Sequence, residues 1–296
     1  MTCYYPRDAW KVTGGGRLVF NEKHDETGKI TIPCGNCIGC RLERARQWAV
    51  RCMHEAQMHK NSEFVTLTYS EEEMPYGGNL EYKHFMQFMK DTRKKQGNGI
   101  KFYMCGEYGP KRARPHYHAI LFGVEYKDKK PWRQTEHGTL WTSEELTKTW
   151  GRGMCTTGNV TFQSASYVAA YVMKKMNGRK QEETYRTVVE ETGEVIQRTP
   201  EFNKMSLKPG IGKTWLEKWK TDCFPRDEVV MNGRKMKPPK YYEKLYKKWD
   251  AEAEEEMKYE RYKKGIEHRE EGTEERLRVR EAVAKAKIRN NKRELA

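Results

Sequence analysis

The sequence predicts an α+β fold, a mainly antiparallel sheet with helices on one face. Three observations carry that reading. Glu63 to Tyr69, Ile100 to Gly106 and His116 to Phe122 are runs of β-branched and aromatic residues, the composition of strands. The connection from Glu107 to Pro115 is short and holds Gly109-Pro110, so the second and third runs form an antiparallel hairpin. Segments with apolar residues at helical spacing lie between and around these strands, which gives a mixed sheet-and-helix layer structure.

Taken in order, residues 1–33 mix Gly14-Gly15-Gly16 with two short β-like pieces, Arg17 to Phe20 and Lys29 to Ile32. They read as a small hairpin leading into a cysteine knuckle. Arg41 to Lys60 sets basic residues against Trp48, Val50 and Met53 at helical spacing, an amphipathic helix whose Arg41, Arg44, Arg46 and Arg51 either meet phosphates or face solvent. A helix from about Glu81 to Lys95 turns Phe85, Phe88 and Met89 inward. A further helix near Ser143 to Trp150, a strand near Asn159 to Gln163 and a helix from about Ser164 complete the core. From Arg179 to Pro200 the chain is polar, with Gly193 at a hairpin tip.

Pro209-Gly-Ile-Gly-Lys-Thr214 looks like half of a phosphate-binding loop, but Leu207 stands where the first glycine of G-x4-G-K-[ST] belongs. It reads as a turn entering a helix from Trp215 to Lys220. After Pro238-Pro239, alternating Glu, Lys and Arg predict a solvated helix or a disordered tail. The division expected is residues 1–60 as knuckle and linking helix, 61–225 as core, and 226–296 as charged tail.

Lys and Arg number 57 against 42 Asp and Glu, a formal net charge of +15 over 296 residues, which favours a polyanionic partner through counterion release. No apolar run approaches the roughly 20 residues that span a bilayer. The N-terminal Met-Thr-Cys-Tyr-Tyr-Pro-Arg lacks the apolar region of a secretory signal, so a reducing cytoplasm is expected and the eight cysteines are read as metal ligands or buried thiols. Cys34, Cys37 and Cys40 form C-x2-C-x2-C. Structural zinc, unmetallated thiols and an iron–sulfur cluster all compete for that spacing, the last weakened because Arg44 occupies the next ferredoxin position. Zinc needs a fourth ligand, for which His24, Cys52 and His54 are in range.

His116 and His118 are two apart on a strand and so project from one face, the geometry of two metal ligands or of two polar residues at a sheet edge. Tyr167 and Tyr171 are four apart on a helix and share a face, with Lys174 and Lys175 continuing near it. A metal-binding pair, phenols able to attack phosphorus and nearby cations together suggest DNA cleavage through a phosphotyrosine link. The bland reading packs the tyrosines in the core.

In these residues the chain resembles the HUH endonucleases, and more closely the replication initiators of the Microviridae, the gokushovirus type in particular. The resemblance runs from Cys3 to about Trp219. It rests on Pro33-Cys34-Gly35-Asn36-Cys37-Ile38-Gly39-Cys40-Arg41, Phe64-Val65-Thr66-Leu67-Thr68-Tyr69, Gly106-Glu107-Tyr108-Gly109, the His116/His118 strand, the two-tyrosine helix and Pro209-Gly210-Ile211-Gly212.

The resemblance implies a ferredoxin-like or RRM-like core whose central strand pair carries the metal. It implies Cys3 as fourth ligand of the knuckle and Glu107 as third ligand beside the histidines, where an ion pair with Arg112 or Arg114 is the alternative. It favours Mg2+ or Mn2+ at that site, and Lys174 as the cation serving the tyrosines. The implied activity is nicking of single-stranded DNA at a viral origin by Tyr167 or Tyr171, leaving a 5′-phosphotyrosine and a 3′-hydroxyl for rolling-circle replication, followed by rejoining. Host polymerase and helicase are the implied partners and the bacterial cytoplasm the site of action. Lys111, Arg112, Arg114 and Lys175 are expected to hold DNA, while His84 and His137 read as surface residues. The competing function is a non-enzymatic zinc-knuckle module that binds nucleic acid.

Overall fold

The structure is a computed structural model that describes residues 3–12, 17–20, 28–110, 112–135, 138–170, 183–189 and 192–291. Two compact units emerge, Met1–Arg44 with Ala251–Ala296, and Ala45–Asp250.

In the first unit, β1 (Arg7–Trp10) pairs antiparallel with β2 (Lys29–Ile32), Arg7 opposite Ile32. The expected partner of β2, Arg17 to Phe20, supplies only one bridge, Val19 to Trp10. Helix α1 (Ile38–Ala56) begins inside the cysteine motif, and its first turns to Arg44 belong to this unit. The helices Ala251–Glu267 and Glu274–Asn291 complete it, with Tyr5 donating to Glu281 at 2.6 Å.

The second unit is built on β3 (Ser62–Thr68), α2 (Tyr82–Gln96), β4 (Lys101–Tyr108), β5 (Pro115–Phe122), β6 (Lys130–Thr135), β7 (Gly138–Thr142), α3 (Glu144–Trp150), β8 (Cys155–Asn159) and α4 (Phe162–Ala170). A small hairpin of β9 (Arg186–Val188) and β10 (Val195–Gln197) precedes β11 (Phe202–Met205). The large sheet has seven strands in the order β11-β4-β5-β3-β8-β7-β6 with every pairing antiparallel. This is the α+β architecture that the strand and helix patterns predict.

Because side chains alternate along each strand, two cores form. On one face Val65, Leu67, Met104, Tyr117, Ala119 and Leu121 meet Phe85, Phe88 and Met89 of α2 and Leu146 and Trp150 of α3. On the other, Tyr103, Cys105, Ile120 and Phe122 meet Ala45, Ala49 and Cys52 of α1 and Ala165, Val168 and Ala169 of α4. The expectation of helices on one face is met by α2 and α3, and α1 and α4 line the opposite face as well. The strand expected near Asn159 to Gln163 lies earlier, at Cys155–Asn159. Thr161 ends it: its hydroxyl accepts from the Ser164 backbone N–H at 3.1 Å, a cap that starts α4 and overrides the β-branched character of Val160 and Thr161.

Past Pro239 the chain does not begin as a solvated tail. In the helix Lys240–Trp249, Tyr242 and Tyr246 are buried, four residues apart on one face. Tyr242 donates to or accepts from His54 Nδ1 at 3.0 Å, and the His54 ring lies against Trp215 at 3.5 Å between centroids. Burial holds the His54 imidazole down to about 3, against an ordinary value of 6.5. The folded chain therefore keeps His54 neutral while the unfolded chain takes up a proton below pH 6.5. The stability at stake is fully present above pH 6.5 and is lost as pH falls toward 3. By pH 5 that difference costs about 2 kcal/mol. Urea unfolding at pH 7 and pH 5 should show a pH-dependent loss in the native protein that is smaller by about that amount in His54→Phe.

Among the described residues no helix is long and apolar enough to cross a membrane.

Candidate active site and cysteine centre

Hairpin β4–β5 sets Glu107 directly opposite His116, and β3 sets Thr66 opposite His118. These four side chains share the sheet face that α4 crosses, so strand register alone brings them together. Glu107 is 3% exposed. Its Oε1 lies 2.8 Å from His116 Nε2 and 3.0 Å from His118 Nε2. The ligand-capable atoms of Glu107, His116 and His118 all fall within 4.8 Å of one another. Burial works to raise the Glu107 carboxyl, but hydrogen bonds with His116 and then His118 outweigh it and bring it down to about 2.

The far side of each ring fixes its orientation. His116 Nδ1 is 3.1 Å from the backbone carbonyl of Arg114, which only accepts, so Nδ1 carries the proton. In the neutral ring that tautomer turns the Nε2 lone pair toward the Glu107 carboxylate. Two acceptors facing each other at 2.8 Å call for a proton or a cation between them. His118 Nδ1 bonds the Thr66 hydroxyl at 2.9 Å, and its ring stacks on Phe64 with 5.7 Å between centroids. Two imidazoles and a carboxylate, each braced by a second partner, suit a divalent ion.

Tyr167 enters this site from α4. Its hydroxyl is 3.4 Å from His118 Nε2, the nitrogen that faces Glu107, and its ring meets His118 edge-on at 5.0 Å between centroids. Thus the sheet histidines and the first helical tyrosine converge. Tyr171, Lys174, Lys175, Lys111 and His137 lie outside the described residues.

The alternative for Glu107, pairing with arginine in the turn, is overturned. The Arg114 guanidinium instead contacts Glu71 and donates to the Tyr69 carbonyl at 2.8 Å, and Arg112 is exposed. His84 is not a plain surface residue, since its Nδ1 bonds the Tyr69 hydroxyl at 2.9 Å. Thr66 and the Arg114 carbonyl, which orient the histidines, were not singled out from sequence. The strand alternation that places Thr66 on the histidine face was visible, but its register with His118 was not.

In the first unit, the sulfurs of Cys3, Cys34, Cys37 and Cys40 also lie within 4.8 Å of one another. Cys3 is buried, and its Sγ is 3.9 Å from that of Cys37. Backbone N–H groups point at the sulfurs: Cys34 donates to Cys3 at 3.2 Å, Cys37 to Cys34 at 3.3 Å and Tyr4 to Cys37 at 3.4 Å. Burial pushes up the Cys3 and Cys40 thiols. It opposes ionisation at Cys37 as well, yet N–H donors from Tyr4 and Cys40 bring that thiol down to about 7. The substitutes considered for the fourth position are placed elsewhere. Cys52 is buried in the sheet core and His54 bonds Tyr242, while His24 lies outside the described residues.

Such a site, histidines and carboxylate on a central antiparallel hairpin with a tyrosine helix across them, is the arrangement that the sequence resemblance implied. Comparison with known proteins agrees. Residues 62–176 match the family model for the replication-associated protein ORF2. The chain is 35% identical over 246 residues to replication-associated protein VP4 of Bdellovibrio phage phiMH2K, covering 79% of this chain and 73% of that protein. It is 30% identical over 280 residues to replication-associated protein ORF2 of Spiroplasma virus 4, covering 85% and 82%. Replication-associated protein ORF4 of Chlamydia phage 1 matches at 27% over 231 residues, covering 75% of this chain and 55% of that one. No solved structure matches. The chain belongs to the family of phage replication-associated proteins, the Microviridae-like initiators that its motifs resemble.

Proposed function

We propose that this protein initiates phage DNA replication by nicking single-stranded origin DNA, and that Tyr167 is the nucleophile of the first cut. The observation that carries the reading is the placement of the Tyr167 hydroxyl 3.4 Å from His118 Nε2, at the edge of the Glu107, His116 and His118 cluster. The names of its phage relatives support a role in replication.

Glu107, His116 and His118 would hold Mg2+ or Mn2+, which supplies polarisation of the scissile phosphate and offsets charge in the transition state. A phenol with an ordinary pKa near 10 is a weak nucleophile at neutral pH. Positive charge beside Tyr167 favours its phenolate form, and Lys174 is proposed to add to that charge. The Tyr167 oxygen then bonds phosphorus, the bond from phosphorus to the 3′-oxygen breaks, and that oxygen takes up a proton. The 5′-phosphate stays on the enzyme while the 3′-hydroxyl primes a host polymerase. Tyr171 is proposed to cut the regenerated junction after one round. Attack by the released 3′-hydroxyl on the first phosphotyrosine restores the phenol and closes the circle. Lys111, Arg112, Arg114 and Lys175 are proposed to hold the DNA backbone, with strand separation left to a host helicase in the bacterial cytoplasm.

In the first unit, Cys3, Cys34, Cys37 and Cys40 would bind structural Zn2+, which supplies a fixed cross-link between chain segments.

Incubating the protein with the circular single-stranded phage genome and Mn2+, then separating it under denaturing conditions, tests the nicking reading. A DNA-linked protein band and a linearised genome are expected, and both should vanish with chelator. DNA that is retained natively but never becomes covalent would favour the non-enzymatic binding module instead.

A further inference from the structure

Helix α2 carries a feature that the nicking chemistry does not use. A shallow groove of about 650 Å³ runs along its outer flank, lined by Tyr82, Lys83, Met86, Lys90, Arg93 and Lys94 among others. The helix buries Phe85, Phe88, Met89 and Thr92 against the sheet, so the groove looks away from the core. Lys83, Lys90 and Lys94 are exposed, and Lys204 of edge strand β11 sits 5.5 Å from the Tyr82 ring centroid at the groove's end.

Charge decides the kind of ligand. Five cations, Lys83, Lys90, Arg93, Lys94 and Lys204, face or border the groove, against the single carboxylate Asp91, which pairs with Lys94 at 3.5 Å and accepts from Gln87 at 2.7 Å. Arg93 also donates to the Ile100 carbonyl at 3.2 Å, which anchors it at the helix end. From Lys83 to Lys94 the cations span about 16 Å of helix, the reach of a few nucleotides. Tyr82 and Met86, 40% exposed, interleave this row with aromatic and apolar surface. A positive track with an aromatic platform fits a strand whose bases are free to stack.

We propose that this flank of α2 is a second binding surface for single-stranded DNA. It lies on the sheet face opposite Glu107, His116, His118 and Tyr167, because α2 packs on the core formed by Val65, Leu67 and Tyr117, whereas the site shares its face with α1 and α4. A strand lying there is held without entering the cleavage site. One molecule thus grips a second stretch of the same circle while its other face engages the origin. The inference goes beyond the nicking reading and requires DNA only as a ligand.

The test uses fluorescein-labelled oligothymidylate, with chelator present and in the Tyr167→Phe background, so that binding is read without cleavage. Lys83→Gln, Lys90→Gln and Lys94→Gln are combined in the full-length chain. As a control, Lys244→Gln, Lys247→Gln and Lys248→Gln remove the same charge from the exposed flank of the helix Lys240–Trp249. In the groove variant, affinity at low salt should fall about tenfold and the slope of log affinity against log salt should become shallower by about 2, near 0.7 for each lost phosphate contact. The control should move neither by as much, and circular dichroism and melting should match the parent in both. Equal effects in the two variants, no effect in the groove variant, or a loss confined to duplex DNA would overturn the proposal.

Discussion

Tyr167→Phe should lower the rate of covalent DNA attachment by at least about 10³-fold, a loss of roughly 4 kcal/mol of transition-state stabilisation. The substitution removes one oxygen and keeps the ring. The phenyl group preserves the edge-on packing against His118 and Phe64, so the sheet face and its ligands stay in place. DNA affinity, measured with chelator, should remain close to that of the parent. The partner variant, Tyr171→Phe, should leave the first cut intact and block the second, so that linear product accumulates and circles do not reform. A reversal, with the first cut surviving in Tyr167→Phe and lost in Tyr171→Phe, would exchange the two roles. Covalent product surviving in the double variant would end the tyrosine assignment altogether.

His116 and His118 were legible as a pair because a strand repeats every two residues, and the same rule placed Tyr117 on the opposite core. Glu107 is different. Nothing in its own segment marks it as a ligand, and it becomes one only through the β4–β5 register that sets it across from His116. Register depends on turn geometry and on packing from both faces, neither of which is local. Cys3 likewise joins a motif that begins 31 residues later, where loop closure, not spacing, decides the partner.

The elements that escaped the sequence reading share a cause. Strands β6 and β7 are exposed or half-buried along their length, and without a buried face there is no alternation to detect. Strand β11 is short and lies at the edge of the sheet. The helix Lys240–Trp249 was masked by its lysines, although Tyr242 and Tyr246 at helical spacing carry the buried stripe. Composition averages over both faces of a helix, so a narrow apolar stripe is diluted by its charged surroundings.

Removing zinc from the cysteine centre should have an equally large effect, on folding instead of chemistry. A tetrahedral ion with bonds of about 2.3 Å to sulfur sets its ligands about 3.8 Å apart. The Cys3 and Cys37 sulfurs are 3.9 Å apart, and all four lie within 4.8 Å, a span suited to one ion. An iron–sulfur cluster would place iron and sulfide between them and spread them further. The ion joins Cys3 to the start of α1, across a segment in which few described residues contribute a buried core of their own. Its binding free energy is therefore spent on folding this unit, on the order of 10 kcal/mol for sites of this kind. Elemental analysis should find one zinc per chain, and Cys37→Ser with Cys40→Ser should abolish it. In that variant, limited proteolysis should open residues 3–44 while the sheet unit stays protected. Metal-free protein whose four thiols react freely with a thiol reagent while the same region resists protease would rule out a structural ion. An iron-containing, coloured preparation would replace zinc with a cluster.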